Sequence, residues 1–275
     1  MTNTPHIKIS FEIPAGEERD ILIALLSDSG YEGFEETDTT VHAFIPEADH
    51  DAALLAETLA MYSVQHTTET IQPRNWNAEW EAGFQPVVVE GFCTIRAHFH
   101  SPEVDTPYCV VITPKMSFGT GHHATTQLMM MSMRHIPFGG KTVLDFGTGT
   151  GVLAILAGML GAEKMVAIDN DEWAVENAIE NAGRNAATGI HIAKASLEDL
   201  DVQQYDVILA NINRHILLHH MSAMYSVLVS KGILLMSGLL VEDEPVIAAA
   251  AAEAGFSIDA VEVRNGWISV KAIKQ

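Results

Sequence analysis

The chain has 275 residues, 48% of them apolar and 19% charged, so it can bury a core and is not a disordered chain. Its 36 acidic and 15 basic side chains give a net charge of −21, which disfavours nucleic-acid binding because such a surface repels phosphate. No apolar run is long enough to span a membrane, and the first residues lack a signal-peptide pattern. With two cysteines, Cys93 and Cys109, we expect free thiols in a cytoplasmic protein.

Residues 1–71 predict a separate, acidic α+β domain. Residues 1–70 hold fourteen acids and two bases, an imbalance that the rest of the chain does not share. The alternation and helical spacing of apolar residues predict a strand at 6–13, a helix at 17–29, strands at 31–37 and 40–45, and a helix at 51–61. A ferredoxin-like sandwich would need a fourth strand, which would have to come from about 64–71.

Residues 72–86 are predicted to be a linker. Trp76 and Trp80 stand four residues apart, so a short helix would place both rings on one face. They either pack the linker against a neighbour or line a substrate cleft, and packing is the more common use of such a pair.

Residues 87–275 predict a larger α/β domain. Strands are expected at 87–99 and 108–113 and a helix at 125–135, after which strands and helices alternate to residue 254. Two further strands flank Asn265-Gly266, a dipeptide typical of hairpin turns. The pattern predicts a seven-stranded, doubly wound sheet that ends in a hairpin.

The segment VLDFGTGTGV, residues 143–152, predicts a buried strand that runs through a glycine loop into a helix. Gly147, Gly149 and Gly151 allow tight turns and close approach of a ligand to the backbone. The dinucleotide fingerprint requires glycine where Val152 stands. Asp145 supplies a carboxylate near an ammonium or sulfonium group, whereas a pyrophosphate would be repelled there.

Asp169 ends the next predicted strand, where a carboxylate can accept hydrogen bonds from both hydroxyls of a ribose. The alternative is a helix N-cap, which Asn170 or Asp171 could supply equally well. Together with the strands, the glycine loop and the helix, this acid predicts a nucleoside cofactor, and the variant loop favours S-adenosylmethionine over NAD.

Three segments resemble the ribosomal protein L11 methyltransferase family of class I methyltransferases: PKMSFGTGHHATT (114–126), NWNAEWEAGFQPVVV (75–89) and DVILANI (206–212). The resemblance covers about residue 74 to the end. It implies a Rossmann-like sheet, S-adenosylmethionine as cofactor, and N-methylation of lysine and terminal amines of the basic ribosomal protein L11. It also implies that the acidic domain recognises the substrate.

The resemblance gives cofactor contacts at Thr126, Gly147, Asp169 and Asn211, with Asp145, Gly149 and Gly151 shaping the loop. We expect Asn211 either to accept a hydrogen bond from the incoming amine or to hold the methionine part of the cofactor, the alternative being a turn-forming asparagine. Residues 118–121 (FGTG) are expected to form a flap over the cofactor.

Other functions remain open at this stage. They are a class I methyltransferase of another protein or of a small-molecule amine, an NAD-dependent oxidoreductase and a non-catalytic binding module. Two sets of histidines, His122 with His123 and His215 with His219 and His220, are not completed by a cysteine or carboxylate at recognisable spacing, so no metal site is expected. We expect a monomer that contacts neither nucleic acid nor membrane.

Overall fold

The computed structural model describes residues 5–62, 64–71, 83–115, 119–200 and 204–275. The chain divides into two compact units, Met1–Glu81 and Ala82–Gln275. The predicted linker helix with Trp76 and Trp80 lies outside the described residues. In the part of the chain that the structure describes, no helix is long and apolar enough to cross a membrane.

The first unit has the element order β-α-β-β-α-β, which is that of the ferredoxin-like motif. Its antiparallel sheet has the strand order β2-β3-β1-β4. Alternate residues of β1 and β3 are buried together with leucines from both helices, so the helices cover one face of the sheet. The elements are β1 (His6–Glu12), α1 (Glu17–Asp28), β2 (Gly33–Glu36), β3 (Thr40–Pro46), α2 (Ala52–Ala60) and β4 (His66–Ile71).

The second unit begins with a small three-stranded sheet made of β5 (Val87–Val89), β6 (Cys93–Ala97) and β7 (Tyr108–Ile112). The sequence pattern predicts one strand over 87–99, but the chain turns at Gly91, where φ is +61°, and β5 pairs antiparallel with β6. Strands β6 and β7 are parallel. Because β7 is the last strand of this sheet, its other edge has no strand partner there.

The rest of the second unit is the predicted seven-stranded sheet. Its strand order is β10-β9-β8-β11-β12-β14-β13, and apolar clusters cover both faces. The strands are β8 (Thr142–Phe146), β9 (Lys164–Asp169), β10 (Ile190–Lys194), β11 (Tyr205–Asn211), β12 (Leu228–Leu240), β13 (Phe256–Arg264) and β14 (Trp267–Lys274). The helices are α3 (Ala124–Met133), α4 (Val152–Met159), α5 (Glu172–Arg184), α6 (Arg214–Val227) and α7 (Glu244–Ala254).

The strand order places a ligand crevice next to β8. The chain proceeds outward from β8 to β9 and β10, then returns to the other side of β8 with β11 and β12. Ligands of open α/β sheets bind at such a reversal, beyond the carboxyl ends of the strands. Strand β14 runs antiparallel to β12, so its first residue, Trp267, pairs with Leu240 at this same edge of the sheet.

Candidate functional site

A cavity of about 650 Å³ opens at the carboxyl ends of β8, β9, β11 and β12. This volume is in the range of small-molecule and cofactor sites. It is lined by His123, Thr125, Phe146, Gly147, Gly149, Asp169, Asn170, Asp171, Ala174, Ala195, Ser196, Asn211, Ile212, Asn213, Ile216, His220, Gly238 and Trp267.

The glycine loop forms the wall of the cavity between β8 and α4. Gly147, Gly149 and Gly151 all have positive φ, at +75°, +55° and +80°. A Cβ on Gly147 would overlap the Cγ2 of Ile212, and a Cβ on Gly151 would lie 3.2 Å from the Cβ of Ala178 on α5. Gly147 therefore allows close approach to the chain beyond β11, and Gly151 allows the loop to pack on α5.

Asp145 lies behind this loop and is 1% exposed. Its Oδ2 accepts hydrogen bonds from the Thr148 hydroxyl at 2.7 Å and from the Ala154 N–H at 3.2 Å. Its Oδ1 is buried and has no hydrogen-bond partner among the described residues. Burial, which outweighs these two hydrogen bonds, raises the pKa of Asp145 to about 7.

Asp169 lines the cavity at the end of β9 and helps to fix the loop. Its Oδ2 accepts a hydrogen bond from the Gly149 N–H at 2.9 Å, and its Oδ1 accepts one from the Asp171 N–H at 3.0 Å. The N-cap of α5 is Asp171, whose carboxylate accepts from the Trp173 N–H. Asp169 is therefore not the cap, and each of its oxygens keeps a lone pair for a further donor.

Asn211 ends β11 on the opposite side of β8, lines the cavity and is 9% exposed. Its Nδ2 donates a hydrogen bond to the hydroxyl oxygen of Thr126, which is fully buried on α3, at 3.3 Å. The Oδ1 of Asn211 is buried without a hydrogen-bond partner in the described part of the chain. Asn211 is thus a cavity-lining residue whose amide oxygen the described residues leave without a donor.

The seven predicted site residues separate into two groups. Four of them line the cavity, namely Gly147, Gly149, Asp169 and Asn211. Thr126, Asp145 and Gly151 lie behind these four and contact them or their loop, while Thr125 takes the lining position on α3. The predicted flap lies partly outside the described residues, which resume at Gly119; the Gly119 carbonyl accepts a hydrogen bond from the Thr150 hydroxyl at 2.8 Å.

Several lining residues were missed by the sequence analysis. His220, from the second turn of α6, lies edge-on to the Phe146 ring and pairs through Nδ1 with the Glu198 carboxylate at 2.9 Å. Gly238, at φ +85°, interrupts β12 where a Cβ would overlap the Ile212 carbonyl. Trp267 lies edge-on to His123. The Asn-Gly turn predicts where β14 begins, but nothing in the sequence predicts that β14 pairs with β12.

Comparisons with known proteins agree on one family. The family model described as "Ribosomal protein L11 methyltransferase (PrmA)" matches residues 10–275. A protein of that name from Porphyromonas gingivalis is 40% identical over 260 residues, which cover 92% of this chain and 89% of the relative. One from Chlorobaculum parvum is 41% identical over 254 residues, covering 87% of this chain and 86% of the relative. The crystal structure of a ribosomal protein L11 methylase from Lactobacillus delbrueckii subsp. bulgaricus matches with a TM-score of 0.65 and 32% identity, over 70% of this chain and 100% of the other.

Proposed function

Because the chain belongs to the ribosomal protein L11 methyltransferase family, we propose that it transfers methyl groups from S-adenosylmethionine to lysine or N-terminal amines of ribosomal protein L11. The observation that carries the proposal in the structure is the cavity at the strand reversal, which is bounded by the glycine loop, Asp169 and Asn211. S-adenosylmethionine supplies a sulfonium methyl group, which a neutral amine nitrogen accepts as the carbon–sulfur bond breaks.

The residues around the cavity fit this cofactor. Asp169 has lone pairs left for two ribose hydroxyls, and the close backbone at Gly147 and Gly149 suits an amino-acid moiety. A cofactor with ammonium and sulfonium charges is favoured by the nearby carboxylates of Asp169 and Asp171, and by ionisation of Asp145 behind the loop. We keep Thr126, Asp145 and Gly151 in the cofactor site as residues that position its lining.

Asn211 is the proposed catalytic residue. Thr126 holds its Nδ2, which leaves the buried Oδ1 as the acceptor for an N–H of the incoming amine. Such a bond orients the nitrogen toward the methyl group and replaces the water that the amine loses on entry. A lysine amine must be neutral to react, and its pKa falls when it is desolvated beside a positive charge, so no strong base is required.

The two units have separate roles in the proposed reaction, substrate recognition and catalysis. We propose residues 1–71 as the acidic domain that recognises the basic substrate protein, residues 72–86 as the linker and residues 87–275 as the catalytic domain. On this proposal the enzyme works in the cytoplasm, where ribosomal proteins are made, as a monomer that contacts its protein substrate without nucleic acid.

The direct test is methyl transfer from labelled S-adenosylmethionine to purified ribosomal proteins, with the sites mapped by mass spectrometry. We expect label on L11. Binding of S-adenosylmethionine without label on any ribosomal protein would exclude L11 as the substrate. It would leave a methyltransferase of another protein or a small amine. No binding at all would overturn the cofactor assignment as well.

Asn211→Ala tests the catalytic role. We expect kcat to fall about 100-fold, as for loss of one positioned hydrogen-bonding group, with a change of less than about threefold in the Kd for S-adenosylmethionine. Asn213→Ala is the matched control, because Asn213 also lines the cavity and its side chain makes no capping hydrogen bond to α6. Equal losses in both variants, or full activity of Asn211→Ala, would contradict the assignment.

A further inference from the structure

Two asparagines on α5 and a third at its C-cap form a ladder that the proposed reaction does not use. Asn177, Asn181 and Asn185 follow at intervals of four residues, on the side of α5 that faces β7. The first two are fully buried. Asn185 is the C-cap of α5, but Asn177 and Asn181 lie in the helix interior, where asparagine is a poor residue, so they call for a reason in tertiary structure.

The ladder takes the place of a neighbouring strand along the free edge of β7. Asn185 accepts a hydrogen bond from the Val111 N–H at 2.8 Å and donates one to the Val111 carbonyl at 2.6 Å. Asn181 accepts from the Thr113 N–H at 2.7 Å, and Asn177 donates to the Thr113 carbonyl at 3.2 Å. Four residues of helix rise about 6 Å and two residues of strand about 6.6 Å, so the step from Asn185 to Asn181 matches that from Val111 to Thr113. Asn177 shares Thr113 with Asn181.

Asn181 differs from the other two in a contact with the glycine loop. Its Nδ2 donates a hydrogen bond to the carbonyl of Thr150 at 2.9 Å, and Thr150 lies between Gly149 and Gly151 in the glycine loop. One buried amide therefore joins the end of β7 to the loop that lines the cavity. The Thr150 hydroxyl extends the connection to the carbonyl of Gly119 at 2.8 Å.

The glycine loop depends on such outside contacts because its three glycines restrict its backbone little. Asp169 fixes the loop at the Gly149 N–H on the cavity side, and Asn181 fixes the next residue at its carbonyl on the buried side. A loop held from both sides is already in its binding conformation, which reduces the entropy lost when a ligand binds.

We propose that Asn181 is a positioning residue for the cofactor, because it holds the Thr150 carbonyl and thereby fixes the glycine loop before S-adenosylmethionine binds. In the described part of the chain, Asn177 bonds the Thr113 carbonyl, Asn185 bonds Val111 and the Asn181 carbonyl, and neither side chain bonds the loop. The inference rests on the proposed function for the identity of the ligand, but its effect on the loop can be measured without any ligand.

Asn181→Ala and Asn185→Ala in the full chain separate the two roles. Both remove hydrogen bonds to β7, and only Asn181→Ala removes the bond to the loop. We expect the Kd for S-adenosylmethionine, measured by calorimetry, to rise about tenfold in Asn181→Ala and less than about twofold in Asn185→Ala. KM for S-adenosylmethionine should follow the Kd, with a smaller change in kcat.

Hydrogen exchange of the ligand-free protein gives an independent measurement. Amides of residues 147–152 should exchange faster in Asn181→Ala and at the wild-type rate in Asn185→Ala. If Asn181→Ala does not fold, Asn181→Asp keeps the volume and the acceptor for the Thr113 N–H while an ionised carboxylate lacks the donor to Thr150.

Asn181→Ala and Asn185→Ala test the positioning role of Asn181 separately from the proposed methyltransferase function. Equal effects of the two alanine variants on the Kd and on loop exchange would show a purely structural ladder and overturn the proposal. If wild type does not bind S-adenosylmethionine, the proposed function fails. Loop exchange then still decides whether Asn181 fixes the loop.

Discussion

At the scale of single residues, the site depends on polar groups that the fold leaves without partners. Asp145 and Asn211 each keep one buried oxygen that makes no hydrogen bond within the described residues. A buried acceptor without a partner costs about 1–3 kcal/mol. Both lie near the carboxyl ends of neighbouring strands at the reversal in strand order, Asn211 in the cavity lining and Asp145 behind it.

Asp145 should make stability depend on pH. Its pKa is about 7 in the folded protein against an ordinary value of 3.8, so between these values the unfolded chain is ionised and the folded protein holds the proton. The free energy of unfolding due to this group is greatest below pH 3.8, falls as pH rises and levels off above about 7.

Asp145→Asn isolates this effect, since amide and acid have nearly the same shape. From pH 5.5 to 7 we expect the stability of wild type relative to Asp145→Asn to decline by roughly 1 kcal/mol per pH unit, and to stay constant from pH 7.5 to 9. Urea unfolding monitored by circular dichroism measures both proteins. A difference that does not change with pH would mean that Asp145 titrates alike in the folded and unfolded states.

At the scale of elements, the glycine loop and the chain beyond β11 pack together without room for a side chain. A Cβ on Gly147 would overlap the Ile212 side chain, and a Cβ on Gly238 would overlap the Ile212 carbonyl. The loop, β11 and β12 therefore converge on Ile212. Gly140, before β8, has a similar φ of +70° but nothing within 4 Å of where its Cβ would be. Alanine substitutions at Gly140 and Gly147 therefore separate the cost of backbone strain from the cost of steric overlap.

We expect Gly140→Ala to destabilise the protein by about 1–2 kcal/mol, the cost of a left-handed backbone for an L-residue. Gly147→Ala should cost about 1–3 kcal/mol more, because its new methyl group overlaps Ile212. In an Ile212→Ala background the extra cost should disappear, which a double-mutant cycle from urea unfolding would measure. A Gly147→Ala cost that is insensitive to residue 212 would place the conflict elsewhere.

At the scale of the whole molecule, charge should govern how a protein substrate arrives. The net charge is −21, and residues 1–70 hold fourteen acids against two bases. Salt weakens attraction between exposed charges, with a Debye length of about 10 Å at 0.1 M. We expect KM for L11 to rise about tenfold between 50 and 500 mM NaCl, and the Kd for S-adenosylmethionine to change less than about threefold.

Charge-neutralising pairs locate this effect. Glu18→Gln with Asp20→Asn, both exposed on α1, should raise KM for L11 about two- to threefold at 50 mM NaCl. Glu163→Gln with Glu253→Gln removes the same charge from exposed positions of the second unit and should have a smaller effect. Equal effects would mean that total charge, and not the acidic domain, attracts the substrate.

The sequence by itself determined the large sheet and the chemistry of its glycine loop. Apolar runs that end in Asp145, Asp169 and Asn211 are local signals, and the loop glycines are needed for backbone conformation wherever the loop lies. The class of ligand follows from residues close together in the chain. The family resemblance adds ribosomal protein L11 as the substrate, and the comparisons with known proteins support that substrate.

The tertiary structure decided which other residues meet these. Trp267 reaches the cavity because β14 pairs antiparallel with β12, and His220 because α6 passes over the sheet beside Phe146. The asparagine spacing along α5 is visible in the sequence, but its meaning depends on β7 and on Thr113, which follows β7 and lies 68 residues from Asn181. Local patterns specify elements and loops, whereas contacts between distant segments follow from packing of the whole chain, which no single segment encodes.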